Sequence, residues 1–479
     1  MADGGMLQFV DKAQRYPAKR EPDLRAQDFA EIAARYDDAL AAEQSARCSQ
    51  CGVPYCSVHC PLHNHIPDWL RLAAEGRLEE AYELSNATST MPEICGRICP
   101  QDRLCEGNCV IEFSGHGAVT IGSVEKYITD TAWERGWVQP LVPGKPTGKS
   151  IGIIGAGPAG LTAAEYLRVA GHDVTVYDRH DRAGGLLTYG IPGFKLEKPV
   201  VMRRIERLEA GGIAIRLGFE IGRDATLSEL QSRHDALLVA TGVYKARALT
   251  APGDDAQGVH EALDYLIASN RVGFGDNVPA FADGTLNAAG KHVVVIGGGD
   301  TAMDCVRTAV RQGAASVRCL YRRDRANMPG SQREVANAEE EGVVFDWLSA
   351  PEAFTSEGGK VTGVSVRGMR LGAPDASGRR APEADPDRLD HRPADMVIKA
   401  LGFDAEDLPV MFGAPDLSLT RWGTLRVDGS MMTAIDGVFA AGDIVRGASL
   451  VVWGIRDGRD VAQHIDRWLA AAAQERIAA

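Results

Sequence analysis

A glycine fingerprint in residues 151 to 178 constrains the fold of this 479-residue chain more than any other stretch. An apolar run typical of a buried parallel strand leads into Gly155, Gly157 and Gly160, and a helical pattern follows. The glycines allow a tight turn, close approach of the backbone to a pyrophosphate and packing of the helix on the strand. A second apolar strand ends on Asp178, which would accept hydrogen bonds from ribose hydroxyls. The stretch therefore predicts a dinucleotide-binding domain.

The chain repeats this fingerprint 142 positions later, in residues 291 to 323. Gly297, Gly299 and Ala302 occupy the places of the three earlier glycines, and a second strand again follows, with one residue inserted before it. The acid at the strand end is missing, and Arg322 and Arg323 stand there instead. A carboxylate would repel a ribose 2′-phosphate, whereas guanidinium groups pair with it bidentately. The repeat therefore predicts a second dinucleotide-binding domain that prefers NADP(H) to NAD(H).

Eight of the ten cysteines are clustered in two runs, C-x2-C-x4-C-x3-C-P and C-x3-C-P-x4-C-x3-C. Structural zinc usually shows two C-x2-C pairs, of which only one is present, and disulfides are rare in a reducing cytoplasm. Eight thiolates with two Cys-Pro steps are typical of a pair of 4Fe–4S clusters. The runs therefore predict two iron–sulfur clusters. The predicted ligands are Cys48, Cys51, Cys56, Cys60, Cys95, Cys99, Cys105 and Cys109.

The Cys-Pro steps suggest how these cysteines divide between the two clusters. In two-cluster ferredoxins the cysteine before proline serves the other cluster. Glu125 is an alternative ligand, although the simpler interpretation of that glutamate is a solvated charge on a helix face. The predicted sets are Cys48, Cys51, Cys56 and Cys109 for the first cluster, and Cys60, Cys99, Cys105 and either Cys95 or Glu125 for the second.

Further stretches predict contacts with a bound dinucleotide. Gly185 and the glycine before it would let the backbone pass close to a flat ring or a pyrophosphate. A buried strand over residues 236 to 242 ends on small residues that can skirt a cofactor. Another strand, over residues 437 to 443, delivers Asp443, whose carboxylate can bind the ribityl chain of a flavin. The helix that begins near Leu450 would aim its N-terminus at the flavin pyrimidine edge.

Outside these motifs the pattern is that of a globular enzyme. Residues 22 to 47 predict one amphipathic helix, and residues 139 to 149, rich in Pro and Gly, predict a linker. The formal net charge of −13 argues against nucleic acid as a partner. The first twenty residues lack the apolar core of a signal peptide, and no apolar run approaches a membrane span. We therefore expect a cytoplasmic protein with no nucleic-acid or membrane partner.

Together, these motifs resemble one family. GAGPAGL, GGLLTYGIP, ATG, GGGDTAMDC and AAGD, preceded by the double cysteine run, are similar to the small (β) subunits of NADPH-dependent glutamate synthases over nearly the whole chain. The same module occurs at the N-terminus of dihydropyrimidine dehydrogenases and in flavin subunits of NADPH:ferredoxin oxidoreductases. The resemblance implies FAD at the first fingerprint, NADPH at the second and two low-potential 4Fe–4S clusters. In dihydropyrimidine dehydrogenases a glutamine completes one cluster, and its position aligns with Glu125, which favours Glu125 over Cys95.

The expected cofactor-binding residues follow from the motifs and from this resemblance. For FAD they are Gly155, Gly157, Gly160, Asp178, Gly185, Leu186, Thr241, Gly242, Gly442 and Asp443. For NADPH they are Gly297, Gly299, Asp300, Thr301, Ala302, Arg322 and Arg323. We expect no catalytic acid or base from the protein, because hydride transfer is the cofactors' own chemistry.

The resemblance also implies a function and an architecture. It implies an NADPH-oxidising electron-input subunit in a hetero-oligomer, whose large (α) subunit carries FMN and an iron–sulfur centre and makes L-glutamate from L-glutamine and 2-oxoglutarate. The expected fold is α/β, with a helical iron–sulfur domain (residues 1–145), an FAD-binding Rossmann-like domain in two parts (146–285 and 403–479) and an inserted NADP(H)-binding domain (286–402). Two alternatives are the flavin subunit of an NADPH:ferredoxin oxidoreductase and a zinc-stapled module that senses nucleotide without catalysis.

Overall fold

The structure, a computed structural model, describes residues 6–374 and 380–478, with side chains up to residue 471. Two five-stranded parallel sheets carry the two fingerprints, and a helical region with the clustered cysteines precedes them. The expected α/β fold with two Rossmann-like parts after a helical region is confirmed. No helix in the described part of the chain is both long enough and apolar enough to cross a membrane.

Short helices build the N-terminal region, and Trp69, Val124 and Ile128 are fully buried among them. Proline stands in the first turn of three of these helices, where its fixed φ suits a helix start. The helices are Gln8–Asp11 (α1), Pro22–Arg25 (α2), Asp38–Ser45 (α3), Tyr55–Val58 (α4), Ile66–Ala74 (α5), Leu78–Asn86 (α6), Pro92–Ile98 (α7), Val110–Phe113 (α8) and Ile121–Glu134 (α9), with a 3-10 turn at Gln101–Arg103.

Residues 22 to 47 do not form the single helix that their pattern predicts. They form α2 and α3, separated by an extended stretch. Arg25 is buried because its guanidinium pairs with Glu340 at 2.6 Å and with Glu341 at 3.0 Å. Glu340 is 315 positions further along the chain. These long-range ion pairs hold the segment against the second sheet's helices, and the local sequence pattern carries no sign of them.

The first sheet begins directly after the predicted linker. Its first strand is buried in the centre, and the helix after the fingerprint packs against it. The elements are Ser150–Ile154 (β1), Pro158–Val169 (α10), Asp173–Asp178 (β2), Leu186–Tyr189 (α11), Lys198–Ala210 (α12), Ala214–Leu217 (β3), Leu227–Arg233 (α13) and Ala236–Val239 (β4).

The second sheet repeats this arrangement, with its first fingerprint strand and helix 142 positions after β1 and α10. The elements are Lys245–Ala246 (β5), Val259–Glu261 (β6), Ala262–Gly273 (α14), Pro279–Ala282 (α15), His292–Ile296 (β7), Asp300–Arg311 (α16), Ser316–Tyr321 (β8), Gln332–Glu340 (α17), Val344–Trp347 (β9), Ser349–Glu357 (β10), Lys360–Pro374 (β11), Arg380–Pro393 (β12) and Met396–Lys399 (β13), with a 3-10 turn at Arg325–Asn327. The strand order is β6-β13-β7-β8-β9, and β10, β11 and β12 form a separate antiparallel sheet. The second sheet thus takes in β6, upstream of residue 286.

The chain then returns to the first sheet. The remaining elements are Phe403–Asp404 (β14), Leu408–Met411 (α18), Val438–Ala440 (β15), Asp443–Arg446 (α19) and Val451–Ala478 (α20). β15 pairs with β4 and completes the order β15-β4-β1-β2-β3, all parallel. β14 pairs antiparallel with β5, so the outgoing and returning connections between the two sheets lie side by side.

Buried ion pairs join the cysteine region to the first sheet's unit, and that unit to the second sheet's unit. Arg204 on α12 makes a bidentate pair with Glu93 on α7, with both distances 2.7 Å and both side chains almost fully buried. Lys195, in the loop before α12, pairs with Asp304 on α16 at 2.9 Å. Because a buried charge needs a partner, these pairs specify how the three parts dock.

Candidate functional site

The first fingerprint lies at the carboxyl ends of β1 and β4 and borders a cavity there. Gly155 has a φ of 111°, and a Cβ at this position would lie 2.4 Å from the carbonyl oxygen of Ala240, so only glycine fits. A Cβ on Gly157 would meet nothing within 4 Å, so the space beside the N-terminus of α10 is open. An open helix N-terminus of this kind suits a pyrophosphate.

Asp178 stands at the end of β2 and lines the same cavity. Its carboxylate accepts hydrogen bonds from the backbone N–H of Ala156 at 2.7 Å and from that of His180 at 2.8 Å. These bonds fix the fingerprint turn against β2. A carboxylate has about four acceptor positions, so Asp178 retains capacity for a ribose hydroxyl.

Most of the residues predicted for FAD come together around this cavity. Thr241 Oγ1 is buried and has no hydrogen-bond partner among the described residues, as expected of a group that faces a ligand. Gly160 lies beneath the loop, where a Cβ would be 1.9 Å from the carbonyl oxygen of Gly155. This glycine therefore allows the helix to pack closely on the strand and does not line the cavity. The predicted residues that line the cavity are Gly155, Gly157, Asp178, Gly185, Leu186, Thr241, Gly242, Gly442 and Asp443.

Asp443 begins α19 beside this cavity and accepts a hydrogen bond from Ser449 Oγ at 2.8 Å. Burial raises the pKa of its carboxyl. Leu450, Val451 and Gly454 line the cavity next to it, so the N-terminus of α20 borders the site, as the sequence predicts.

Sequence reasoning missed an aromatic side chain of the cavity. Tyr244 lines it, and the guanidinium carbon of Arg179, which lines an adjoining cavity, lies 4.9 Å from the centre of the Tyr244 ring. Burial raises the pKa of the Tyr244 hydroxyl. Tyr244 lies only two residues beyond the Thr-Gly step, but no spacing rule assigns a role to it.

The second fingerprint borders a larger cavity of about 540 Å³, a size typical of small-molecule sites. Gly299 faces open space, since a Cβ there would meet nothing within 4 Å. Arg322 and Arg323 line the cavity, and Arg323 Nε is buried without a hydrogen-bond partner in the described part of the chain. A guanidinium group held in this way suits an anionic ligand such as a 2′-phosphate.

The other residues predicted for NADPH are divided between the cavity and its support. Gly297 and Thr301 line the cavity, together with Arg247, which the sequence did not suggest. Ala302 is fully buried in the core below the loop. Asp300 turns away, because its carboxylate accepts a hydrogen bond from the backbone N–H of Ser331 at 2.9 Å.

One group of four cysteines consists of Cys48, Cys51, Cys56 and Cys109, and we call it the first quartet. Burial, together with the nearby thiols of Cys109 and Cys51, raises the pKa of the Cys48 thiol to about 11. Burial, together with the nearby thiols of Cys48 and Cys109, raises the pKa of Cys56 to about 12. The structure thus brings together the set that the Cys-Pro rule predicts.

The other four cysteines line one small cavity, and we call them the second quartet: Cys60, Cys95, Cys99 and Cys105. Glu125 on α9 lines the same cavity and is 8% exposed, so the interpretation of this glutamate as a solvated surface charge is wrong. Burial raises the pKa of Glu125 to about 8, and Ser85 Oγ donates a hydrogen bond to it at 3.3 Å. Cys95 and Glu125 therefore both remain within reach of whatever the cavity holds.

The donor chemistry of the two quartets suits iron–sulfur clusters, which take four thiolates or three thiolates and one other ligand. In the described part of the chain, no three His, Cys, Asp or Glu side chains are arranged to hold one metal ion. Val452 lines the second quartet's cavity, and its neighbour Val451 lines the cavity of the first fingerprint. The second quartet therefore lies on the side of the cysteine region that faces the cavity of the first fingerprint.

Two protein families match successive parts of the chain. Residues 25–137 match the family described as dihydropyrimidine dehydrogenase domain II, 4Fe-4S cluster, and residues 149–474 match the family of pyridine nucleotide-disulphide oxidoreductases. The second match covers more than half of the chain.

Similar full-length proteins are known. The chain is 64% identical over 479 residues to the glutamate synthase (NADPH) small chain of Azospirillum brasilense, and the match covers 100% of this chain and 99% of that protein. It is 46% identical over 471 residues to the protein of the same name from Escherichia coli, with 97% and 99% covered. Among solved structures, Mycobacterium tuberculosis FprA in complex with NADPH has a TM-score of 0.59 at 20% identity over 69% of this chain and 86% of that chain, a likeness of fold.

Proposed function

Because the chain belongs to the family of NADPH-dependent glutamate synthase small chains, we propose that it is the electron-input subunit of a glutamate synthase. It oxidises NADPH and supplies electrons to a large chain that makes L-glutamate from L-glutamine and 2-oxoglutarate. The observation that carries this proposal is that one chain unites cavities at two dinucleotide fingerprints with two cysteine quartets, in a full-length match to that family.

The cavity of the first fingerprint would hold FAD. Gly155, Gly157 and the start of α10 would bind the pyrophosphate, and Asp178 the adenosine ribose. Asp443 and Thr241 would bind the flavin half, beside the N-terminus of α20. FAD held there would supply a hydride acceptor for NADPH and the change from two-electron to one-electron transfer toward the clusters.

The cavity of the second fingerprint would hold NADPH. Gly297 and Gly299 leave room for its pyrophosphate at the start of α16, and Arg322 and Arg323 would pair with the 2′-phosphate. What the chain supplies is orientation, selectivity and shelter from water, since the chemistry needs no acid or base from the protein.

Each quartet would hold one 4Fe–4S cluster. We propose Glu125 as the fourth ligand beside Cys60, Cys99 and Cys105. Its buried carboxylate faces these thiols and has a single neutral hydrogen-bond donor, Ser85, so it needs a stronger partner. The position of Val452 supports a path from the flavin to the second quartet and then to the first.

Because the chain belongs to a family of small chains, its partner is expected to be a large glutamate synthase chain. We propose that this partner contains FMN and an iron–sulfur centre, that the two chains form a hetero-oligomer and that they act in the cytoplasm. We propose no nucleic-acid and no membrane partner.

Enzyme assays of the purified chain test this division of labour. The chain alone should reduce an artificial acceptor such as ferricyanide with NADPH, and it should form glutamate only after the large chain is added. Glutamate formation by the chain alone would refute the proposal. Rapid turnover of ferredoxin without the large chain would favour the alternative of an NADPH:ferredoxin oxidoreductase subunit.

A further inference from the structure

An exposed apolar surface surrounds the first quartet. Two short helices adjoin this quartet: α4 contains Cys56, and α8 begins directly after Cys109. Large apolar side chains on and beside both helices point to solvent, with exposed fractions from 39% to 73%. We call them the apolar patch: Val53, Tyr55, Val58, Val110 and Phe113.

The exposed apolar side chains are concentrated at this end of the molecule. Eighteen large apolar side chains are exposed in the described part of the chain, and eight of them belong to the patch or to residues 6 to 10. Residues 6 to 10 lie nearby, because the ring of Phe9 is 5.2 Å from that of His116, in the loop that follows α8. Single exposed apolar residues need no explanation, whereas several of them on two helices that carry or adjoin cysteines of one quartet indicate an interaction site.

The α4 side of this surface is poor in charge. Residues 48 to 67 contain no Asp, Glu, Lys or Arg, in a chain of which 24% is charged. Depletion of charged residues and enrichment of aromatic and apolar ones distinguish the cores of protein interfaces from the remaining surface. This composition is therefore typical of a protein interface rather than of a surface that contacts only water.

We propose that the apolar patch is the surface on which the large glutamate synthase chain docks. This inference rests on the proposed function, which requires electrons to leave the chain. Val452 places the second quartet on the flavin side, whereas Cys48 and Cys51 of the first quartet are partly exposed beside the patch. A protein seated on the patch therefore brings its own redox centre close to the quartet that is furthest along the path. The large chain is the partner that fits, because a permanent subunit interface has an apolar core.

Substitution in the patch tests this proposal. Phe113→Asp should raise the dissociation constant of the complex with the large chain about 30-fold or more, and Phe113→Leu should leave it nearly unchanged. The matched control is Trp422→Asp, at an exposed aromatic residue in a turn of the C-terminal part, and it should change the constant less than about twofold. NADPH:ferricyanide activity should be equal in all three variants and the unsubstituted chain.

A second measurement does not depend on any variant. In the complex with the large chain, amide hydrogen exchange should slow in residues 51 to 60 and 109 to 114. Unchanged exchange there, or an unchanged dissociation constant for Phe113→Asp, would overturn the docking surface. Self-association of the small chain alone that Phe113→Asp abolishes would also overturn it, in favour of a second copy. If the unsubstituted chain neither oxidises NADPH nor binds the large chain, the proposed function itself fails.

Discussion

Arg333 on α17 donates a hydrogen bond from Nη2 to Glu106 Oε2 at 2.8 Å, across the junction between the second sheet and the cysteine region. Glu106 follows Cys105 directly and is itself buried. Arg333 also donates to Gln101 Oε1 at 3.1 Å, two residues after Cys99. One side chain from the second sheet's unit thus holds both ends of the loop over residues 101–106, which contains Cys105 of the second quartet.

Arg333→Gln should therefore destabilise the junction. The substitution leaves the buried Glu106 carboxylate without its charged donor, and we expect the free energy of unfolding to fall by about 1–3 kcal/mol. Chemical denaturation measures this change. The control is Arg325→Gln, which removes a surface pair with Glu339 and should cost less than about 1 kcal/mol. Equal losses in the two variants would show that the contact with Glu106 has no special role.

Arg322→Ala combined with Arg323→Ala should weaken NADPH far more than NADH. Each guanidinium would lose a charge-assisted pair with the 2′-phosphate, and we expect the KM for NADPH to rise about 100-fold while that for NADH stays within about twofold. Ferricyanide reduction with each nucleotide gives both values. Equal losses for the two nucleotides would show that these arginines do not read the 2′-phosphate.

Glu125→Ala should remove more iron from the chain than Cys95→Ala. If Glu125 is the fourth ligand of the second cluster, its loss should lower bound iron from about eight atoms per chain by about half, and Cys95→Ala should leave most of the iron in place. Iron and acid-labile sulfide analysis of the anaerobically purified variants measures this. Cys305→Ala is the matched control, because Cys305 is a buried cysteine far along the chain in the second sheet's core. The reverse ranking would assign the ligand to Cys95.

Because of Lys198, the free energy of unfolding should change with pH between neutral and alkaline conditions. Burial lowers the pKa of Lys198 to about 7, and its Nζ donates to the carbonyl oxygen of Leu187 at 3.0 Å. The unfolded lysine has a pKa of about 10.4, so between about pH 7 and 10 the unfolded state binds a proton that the folded state lacks. The contribution of Lys198 to stability therefore rises with pH in this window and is least favourable below it.

Lys198→Met tests this sign. The free energy of unfolding of the unsubstituted chain, relative to the variant, should increase from pH 7 to pH 9 by about 1 kcal/mol per unit of pH. Denaturation at several pH values gives the slope. The same difference measured for Lys145→Met, at an exposed lysine, should stay flat. A slope of zero or of opposite sign for Lys198→Met would contradict the burial of a neutral amine.

The sequence predicted the parts of the fold that short-range rules dictate. The turn at Gly155 has a positive φ and packs against the backbone of Ala240, so only glycine fits there. The spacing of the glycines alone therefore predicts this turn. The sequence also predicts the grouping of Cys109 with Cys48, because in ferredoxin-like runs the cysteine before proline, here Cys60, serves the other cluster. The roles of the individual site residues are still predictions.

Long-range contacts account for what the sequence did not reveal. The extended path before α3 depends on ion pairs between Arg25 and residues 340 and 341, which no local periodicity reports. The burial of Glu125 depends on the packing of α9 over the second quartet. Tyr244 and Arg247 line cavities, but they belong to the connection between the two sheets, which contains no recognisable sequence motif. Finally, the sequence does not report which apolar side chains are exposed. From residue type alone, Val53 and Phe113 would be predicted to lie in the core.

Electron transfer from NADPH through FAD toward the iron–sulfur clusters is tested by the visible absorption spectrum of the anaerobically purified holo chain, recorded before and after addition of NADPH. We expect a brown protein whose spectrum combines oxidised flavin with iron–sulfur absorption, and whose flavin band disappears with about one equivalent of NADPH. A colourless chain, or a flavin band that persists in excess NADPH, would rule out this electron path.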